Sequence, residues 1–308
     1  MNDDRQRLFC FGHGYTADYL SHALQTEETG WTIGGTTRDV ERQRELLSRR
    51  IRARIYDDEH PIADPETLFS RFTHLLISVP PNADGDPVFN QYQHEIAKLK
   101  NLKWVGYLSS TAVYGDRDGG AVDENSEIRP TSARGSKRDL AERQWLSLHQ
   151  HYGIPVHIFR LTGIYGPGRS ALDSVRAGIA RRIEKPGHKF NRIQVEDIVQ
   201  TLRQSFVNPN PGAVYNLSDD CPAPSYDVIG YACELLGQPA PPIIPYDQAN
   251  LAPITLSFYN DSKHALNNKI KAELGVQLKY PNYKKGLEGC LAAENHAEEL
   301  KENSKHFV

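Results

Sequence analysis

A glycine-rich hexapeptide near the start of the chain has the residue types and spacing of a phosphate-binding turn. It reads Gly12-His13-Gly14-Tyr15-Thr16-Ala17, a G-x-G-x-x-A pattern. In such a turn the first glycine permits the tight bend, the second lets the backbone approach a pyrophosphate, and the small last residue lets the next helix pack closely on the strand. Free N–H groups and the helix dipole favour anions at that helix N-terminus. These six residues are therefore predicted to bind a dinucleotide.

The context of the turn supports this interpretation. Arg7–Gly12 is a short apolar run, and Tyr15–Leu24 has the apolar spacing of a helix. The pattern alone occurs by chance in many turns, but between a first strand and a first helix it is typical of dinucleotide-binding folds. We therefore predict a nicotinamide dinucleotide site here, in preference to a purely structural turn.

The end of the second predicted strand, Trp31–Thr37, indicates which dinucleotide binds. NAD sites usually place Asp or Glu about 20 residues after the glycines, where it accepts hydrogen bonds from the ribose 2′-OH. This chain has Thr37 and Arg38, and an arginine fork pairs well with a 2′-phosphate. NADP(H) is the expected cofactor, with NAD as the alternative. The structural alternative is that Arg38 merely begins the next helix in solvent.

Two further segments are expected to contact the cofactor. Asp57, just past the third predicted strand, is the expected neighbour of the adenine, with Asp58 as the alternative. Val79, Pro80 and Pro81 end and follow the fourth predicted strand. Ligands of such sheets bind at the carboxyl ends of the strands, and prolines there remove N–H donors and stiffen the loop.

Strand and helix signals alternate through the first half of the chain and predict the fold that positions these residues. The predicted strands are Arg7–Gly12, Trp31–Thr37, Ile51–Tyr56, His74–Val79, Trp104–Ser109 and Val156–Arg160. The predicted helices between them are Tyr15–Leu24, a charged stretch from Asp39, Val88–Leu99 and Thr131–His151. Strands that alternate with helices indicate βαβ units with right-handed crossovers. We predict an α/β fold with a doubly wound parallel sheet of the Rossmann type.

This alternation loosens in the second half of the chain. A Gly-Pro-Gly sequence interrupts it, and residues 219–260 are rich in proline. We therefore predict a dinucleotide-binding Rossmann domain at 1–165, to whose core 189–217 returns. Most of 166–308 is predicted to form a small C-terminal α+β substrate domain, or cap.

Composition narrows the class of protein. The 308 residues are 39% apolar and 24% charged, which is ordinary for a globular protein. The net charge of -3 gives no reason to expect a nucleic-acid partner. Four scattered cysteines form no CxxC pair, so no metal site is expected. No apolar segment approaches the ~18 residues that span a bilayer, so we expect a cytoplasmic protein without a membrane partner.

Further sequence strings follow the glycine turn in a characteristic order. They are Tyr107–Gly115 (YLSSTAVYG), Arg160–Gly168 (RLTGIYGPG), Arg192–Asp197 (RIQVED), Ala213–Asn216 (AVYN), Leu274–Gly275, Leu278–Pro281 and Gly286–Leu287. In this order the chain resembles the extended short-chain dehydrogenase/reductases, the family that includes nucleotide-sugar epimerases and dehydratases. The resemblance covers nearly the whole chain. It implies a Rossmann domain with a small C-terminal substrate domain, and a homodimer by analogy.

The resemblance also implies a catalytic group, of which this chain keeps only part. Members usually work with a Ser/Thr, a Tyr, and a Lys four residues after the Tyr. The Lys holds the nicotinamide ribose and lowers the pKa of the Tyr, which exchanges a proton while hydride moves. Ser110 occupies the Ser/Thr position, but the following helix lacks the Tyr-x-x-x-Lys pair.

Two alignments of that helix are open. Placing Glu142 on the family's usual glutamate puts Arg134 in the tyrosine position and Arg138 in the lysine position. A slip of one residue puts Ala133 and Lys137 there instead. Neither alignment restores a phenol.

Ser110, Arg134 and Arg138 are the candidate catalytic residues. Arginine stays protonated and cannot act as a general base, but it can bind a carboxylate or phosphate and stabilise developing negative charge. Residues four apart share one face of a helix, so both arginines can face the cleft. The alternative is a solvent-facing charged surface. Tyr114, Tyr165 and His13 are candidate proton donors, none of them favoured.

Two classes of function follow. The first is an NAD(P)-binding oxidoreductase or epimerase-like enzyme that transfers hydride with NADP(H) on a small polar substrate, an anionic one included, or on a sugar nucleotide. Sugar-nucleotide chemistry rests on the family analogy alone. The second is a catalytically silent NADP(H)-binding redox sensor or regulatory protein, which the missing tyrosine favours.

Overall fold

The computed structural model describes residues 6–26, 30–57 and 59–305, and Asp58 lies outside them. Within these ranges the strands are β1 (Arg7–Phe11), β2 (Thr32–Thr37), β3 (Arg52–Ile55), β4 (His74–Ile77), β5 (Trp104–Ser110), β6 (Ala121–Val122), β7 (Val156–Leu161), β8 (Gly163–Tyr165), β9 (Arg182–Glu184), β10 (Arg192–Gln194), β11 (Val214–Leu217), β12 (Ile243–Pro245) and β13 (His264–Ala265). The helices are α1 (Tyr15–Thr26), α2 (Val40–Ser48), α3 (Pro65–Phe69), α4 (Pro87–Lys98), α5 (Ala133–Tyr152), α6 (Ala171–Arg176), α7 (Val195–Val207), α8 (Ser225–Leu235), α9 (Pro253–Tyr259), α10 (Asn268–Leu274) and α11 (Tyr283–Lys305). Two 3₁₀ turns are η1 (Thr111–Tyr114) and η2 (Tyr246–Gln248).

Seven strands form one sheet in the order β11-β7-β5-β4-β1-β2-β3, and every neighbouring pair is parallel. The chain runs outward from β1 through β2 to β3, then crosses to β4 on the other side of β1. The direction of winding therefore reverses between β1 and β4, which opens a crevice at the carboxyl ends of these two strands. The predicted doubly wound α/β sheet is confirmed.

Helices cover both faces of this sheet because its strands are apolar on both sides. On one face, Leu20 of α1 and Leu202 of α7 belong to a buried cluster with Trp104 of β5. On the other face, Phe69 of α3 and Trp145 of α5 belong to a second buried cluster. The sheet is thus a rigid platform for the loops at its carboxyl edge.

Observed boundaries differ from the predicted ones for identifiable reasons. The first strand ends at Phe11 because Gly12 has φ +78°, which takes it out of the extended conformation. The long helix begins at Ala133, not at Thr131, because Ser132 is its N-cap and its side chain accepts the N–H of Gly135.

Part of the chain beyond residue 165 lies apart from the sheet. Helices α6, α8 and α11 contact one another around a third buried cluster that includes Leu172, Val228 and Leu287. Strand β11 pairs with β7, and α7 packs on α1, so these two elements lie with the main sheet. The division into domains at residue 165 stays a prediction. Among the described residues, no helix has the length and apolar character that crossing a bilayer requires.

A buried ion pair joins α5 to β7. The Arg160 guanidinium donates to both carboxylate oxygens of Glu142, with Nη2 2.7 Å from Oε2 and Nε 3.1 Å from Oε1. The Ser109 hydroxyl donates to the same carboxylate over 2.5 Å. Arg160 Nη1 also donates to the Tyr114 hydroxyl (2.8 Å), which donates to Asn216 Oδ1 (2.7 Å). This network connects α5, β5, β7, η1 and β11.

We expect Glu142→Ala to lower the free energy of unfolding by about 3–5 kcal/mol, because Arg160 would remain as an uncompensated buried cation. The matched control is Asp139→Ala, which removes the more exposed pair that Asp139 makes with Arg143 on the same helix. That change should cost at most about 1 kcal/mol. Urea denaturation followed by tryptophan fluorescence measures both. An equal or smaller loss for Glu142→Ala would contradict the role given to the buried pair.

Candidate functional site

The main-chain N–H groups of the glycine turn hydrogen-bond to Thr36 of β2. The Gly12 N–H donates to Thr36 Oγ1 over 2.8 Å, and the His13 N–H donates to the Thr36 carbonyl over 2.7 Å. Gly12 has φ +78°, and a Cβ added there would lie 3.0 Å from Cγ1 of Val79. Backbone conformation and packing therefore both require glycine at position 12.

The turn leads into α1, whose first amides have no preceding helical carbonyl to bind. The first helical bond is from the Asp18 N–H to the Gly14 carbonyl, at 2.9 Å. The amides of Tyr15, Thr16 and Ala17, in the first turn of the helix, therefore have no helical carbonyl to which they can donate. Gly14, Tyr15 and Thr16 line a cavity of about 700 Å³.

Glycine is needed at position 14 for a different reason than at position 12. A Cβ added at Gly14 would meet no protein atom within 4 Å, so packing within the protein does not account for glycine at this position. A ligand that approaches the backbone closely does account for it, and the positive end of the α1 dipole favours an anionic one. The residues present therefore fit the pyrophosphate of a dinucleotide.

The His13 side chain supports the turn from inside the protein. Its Nε2 lies 2.9 Å from Ser21 Oγ, and its Nδ1 lies 3.8 Å from the carboxylate of Asp18. Burial lowers the pKa of His13 to about 4, so the imidazole is neutral at pH 7. Arg42 and Arg49 pair with Asp18 at 2.9 Å and 2.7 Å. His13 can thus contact a cofactor only through its main chain.

At the end of β2, Arg38 is exposed, and its guanidinium has no hydrogen-bond or ion-pair partner among the described residues. The nearest acid, Asp39, caps α2 with its side chain, and its N–H donates to Thr37 Oγ1 over 3.2 Å. The Asp57 carboxylate accepts the N–H of His60 over 2.9 Å and contacts its imidazole at 2.7 Å. Both acids are therefore engaged in their own turns.

The segment after β4 lies beside the glycine turn. Ser78 lines the cavity, and Val79 is the residue that a Cβ on Gly12 would touch. Val79 and Pro81 are half-buried, whereas Pro80 is exposed. This places the predicted segment at the crevice between β1 and β4.

Ser110 lies at the end of β5 and lines the same cavity. Its Oγ accepts the N–H of Ala112 over 3.2 Å, which leaves the hydroxyl hydrogen free to be donated to a ligand. Helix α5 approaches this turn closely, since a Cβ on Gly135 would lie 2.5 Å from the Ala112 carbonyl oxygen. Glycine at position 135 is therefore what allows α5 to reach the cavity.

The structure distinguishes between the two alignments of α5. Arg134 and Arg138 line the cavity, whereas neither Ala133 nor Lys137 is among the described residues that do so. The face of α5 that carries the two arginines thus faces the position of Ser110.

The two arginines differ in their partners. Arg138 Nη1 donates to the Leu108 carbonyl over 2.6 Å and to the Tyr107 hydroxyl over 3.0 Å. The Arg134 guanidinium lies 4.3 Å from the centre of the Phe258 ring and has no hydrogen-bond partner among the described residues. Arg138 therefore also anchors the end of β5, whereas the N–H groups of Arg134 are available to a ligand.

The hydroxyl and imidazole groups of the candidate proton donors lie away from the cavity. The Tyr114 hydroxyl is bonded to Asn216 within the buried network. The Tyr165 ring lines the cavity, but its hydroxyl lies against α11, in the place that a Cβ on Gly286 would occupy. Burial raises the pKa of both phenols. With the His13 imidazole at Ser21, none of the three presents a proton to the cavity.

The far wall of the cavity comes from the C-terminal half of the chain, and sequence analysis did not single out its residues. They are Arg169, Lys189, Phe190, Asn191, Arg192, Ser257, Phe258, Asp261 and Lys263. Six cationic side chains line the cavity as a whole, against one carboxylate among the described residues, Asp261. Lys263 is only 8% exposed, and its Nζ lies 3.5 Å from that carboxylate. The one available signal was the basic character of residues 181–192.

Comparison with known proteins supports the family resemblance. Residues 94–217 match the model of the NAD dependent epimerase/dehydratase family. The chain is also 47% identical to a solved, functionally unknown conserved protein from Silicibacter pomeroyi DSS, with a TM-score of 0.86 over 94% of this chain and 99% of that one. The resemblance to this family that the sequence motifs predict is confirmed over residues 94–217.

Two other similar proteins are more distant. Protein YeeZ from Escherichia coli (strain K12) is 29% identical over 148 residues, which are 46% of this chain. The chain spans about half the length of that curated relative, 52%. The UDP-glucuronic acid 4-epimerase from Bacillus cereus, solved in complex with NAD, is 16% identical with a TM-score of 0.71, over 92% of this chain and 97% of that one. The last likeness shows the common fold.

We expect Gly14→Ala to weaken NADPH binding by at least about tenfold, or ~1.4 kcal/mol, because the methyl group would occupy the space through which the pyrophosphate approaches the backbone. The melting temperature without cofactor should stay unchanged, since no protein atom is displaced. Quenching of tryptophan fluorescence measures the affinity, and calorimetry measures the melting temperature.

The control for this variant is Gly153→Ala at the C-terminal end of α5. Gly153 has φ +69°, and a Cβ there would meet nothing within 4 Å. The Gly153→Ala variant should have a lower free energy of unfolding because of backbone strain, and its affinity for NADPH should be unchanged. Undiminished NADPH affinity in Gly14→Ala would remove the assignment of the turn.

Proposed function

We propose that the protein binds NADP(H) at the turn between β1 and α1 and transfers hydride between the nicotinamide and a small polar substrate. One observation carries this proposal: a single cavity of about 700 Å³ extends from Gly14 and the first amides of α1, past Ser110, to a cationic far wall. The proposed phosphate-binding turn and the candidate catalytic residues therefore share one cavity.

The surroundings of Arg38 support NADP(H) over NAD. An acid that accepts the ribose 2′-OH is the usual determinant of NAD binding, and Asp39 is engaged in capping α2. Arg38 is exposed beside it and has no partner among the described residues. Its planar fork is suited to a 2′-phosphate, to which it can donate two parallel hydrogen bonds.

In the proposed reaction this chain's own residues orient the substrate and stabilise charge. The bound nicotinamide supplies or accepts the hydride. The Ser110 hydroxyl donates a hydrogen bond to the substrate oxygen, and Arg134 stabilises the negative charge that develops there. Arg138, held by the Leu108 carbonyl, keeps the end of β5 in place. Tyr15 and Tyr165 line the cavity, but the Tyr15 hydroxyl donates to the Pro167 carbonyl and the Tyr165 hydroxyl lies against α11. The alkoxide that hydride transfer to a carbonyl leaves is therefore stabilised by Arg134 and takes its proton from solvent water.

A second candidate function is a cofactor-binding redox sensor without turnover. Two observations favour it: arginine stands where the family has its catalytic tyrosine, and the Tyr165 hydroxyl is buried against α11. In this case occupancy by NADP(H), and not reaction, is what a partner would detect.

We expect Arg38→Ala to weaken NADPH binding by at least about tenfold and NADH binding by less than about twofold, because only NADPH carries the 2′-phosphate. The control is Arg44→Ala, an exposed arginine on α2 that pairs with Glu41 and should leave both affinities unchanged. Fluorescence titration with each nucleotide gives the dissociation constants. Equal weakening of both would remove the NADP preference.

Turnover separates the two candidate functions. Oxidation of NADPH is followed at 340 nm with a panel of carbonyl compounds and sugar nucleotides. For any substrate found, Ser110→Ala should lower kcat/KM by about 10²–10³-fold, as removal of a transition-state hydrogen-bond donor does elsewhere, without changing NADPH affinity. Ser147→Ala, far along α5 and bonded to Gln144, is the control. Tight NADPH binding without any turnover would favour the sensor.

A further inference from the structure

We infer that the far wall of the cavity is a receptor for a small organic dianion, a phosphate monoester or a dicarboxylate, and does not hold a sugar nucleotide. The inference rests on the proposed function, because it names the class of molecule that lies beyond the nicotinamide. It depends on the charge of the far wall and on the way its aromatic rings are used.

The charge of the cavity exceeds what a dinucleotide compensates. Arg169 lies over the ring of Tyr15, in the first turn of α1, with its guanidinium carbon 5.5 Å from the ring centre. It belongs with the amides that would hold the pyrophosphate. Arg134, Lys189 and Lys263 remain beyond it, and the one carboxylate that lines the cavity within the described residues is that of Asp261. Arg192 also lines the cavity, but the buried carboxylate of Asp219 partly compensates its charge. Arg134 and Lys189 are exposed, so solvent screens their charges, and the excess of positive charge in the cavity favours an anionic occupant.

Several of these cations have free donors. The side chains of Arg134 and Lys189 have no hydrogen-bond or ion-pair partner among the described residues, and both line the cavity. Partial burial lowers the pKa of Arg134, and burial lowers that of Lys263, so the cavity disfavours their charges when it holds no anion. Two or more N–H donors directed at one space are suited to a doubly charged group.

The aromatic rings of the wall orient these arginines. The guanidinium carbon of Arg134 lies 4.3 Å from the centre of the Phe258 ring, and that of Arg192 lies 5.7 Å from the centre of the Phe190 ring. Stacking leaves the N–H groups at the edges of the Arg134 guanidinium free to bind a carboxylate or phosphate in pairs. Arg192 Nη1 donates to the carbonyls of Phe190 and Ala223, so this arginine is held in place and contributes mainly its positive charge. Stacking also reduces the conformational freedom that binding would otherwise cost.

The same packing leaves little ring surface for a nucleobase. Four aromatic side chains line the cavity within the described part of the chain, namely Tyr15, Tyr165, Phe190 and Phe258. Three of them carry an arginine on one face. Phe190 is packed further by His188 and Tyr259, with ring centres 4.6 Å and 4.9 Å away, and Tyr165 is 8% exposed. The wall therefore recognises charge better than it stacks a base.

The test measures binding to the full chain by calorimetry, with and without saturating NADPH. The probes are malonate, glycerol 3-phosphate, neutral malonamide and UDP-glucose. We expect one of the two dianions to bind at least about tenfold more tightly than UDP-glucose, and malonamide not to bind.

Arg134→Gln should weaken dianion binding by about tenfold to a hundredfold, the usual effect of removing a charged hydrogen bond. Arg143→Gln, on the exposed face of α5, is the matched control and should bind like the wild type.

The outcomes separate this inference from the proposed function. Tighter binding of UDP-glucose than of both dianions would overturn the inference, as would wild-type dianion affinity in Arg134→Gln or no dianion binding at all. A preference for malonate or for glycerol 3-phosphate identifies the dicarboxylate or the phosphate source. NADPH affinity, measured separately by fluorescence, tests the proposed function, because the far wall can bind a dianion whether or not the dinucleotide turn is occupied.

Discussion

The ion pair between Glu142 and Arg160 is the interaction on which the cavity depends most. Both side chains are buried, so each charge is tolerated only because the other compensates it. The pair connects the helix that carries Arg134 to strand β7 of the sheet, and Ser109, which bonds to it, directly precedes Ser110. The buried pair therefore helps to fix the position of Ser110 relative to Arg134.

The proposed site combines a dinucleotide turn with an unusual helix. The glycine turn, the crevice between β1 and β4, and Ser110 fit a bound dinucleotide, and residues 94–217 match the NAD dependent epimerase/dehydratase family. On the opposite side of the cavity α5 carries Arg134 and Arg138, and its sequence contains no Tyr-x-x-x-Lys pair. An arginine cannot exchange a proton, but it binds anions strongly. Arginines at these two positions therefore favour recognition and stabilisation of negative charge over proton transfer.

Most of the fold could be predicted because its signals are local. Alternating apolar runs and helical spacing are properties of neighbouring residues, and the backbone demands of Gly12 and Gly14 can be inferred from the strand and helix that flank them. The orientation of α5 could not be predicted, because two alignments fitted the sequence equally. Its contact with η1 at Gly135 selects the face that carries Arg134, and that contact joins segments far apart in the chain.

By itself the sequence determined the parallel sheet and the absence of a Tyr-x-x-x-Lys pair from α5, and it predicted a phosphate-binding turn, since each depends on residue type within a short window. Only the tertiary structure decided which residues line the rest of the cavity. Residues near 190 and others near 260 meet across from α5, and no periodicity or motif relates them. Their convergence depends on how distant segments pack, and this packing places Phe258 against Arg134 and brings cations from distant parts of the chain to one cavity.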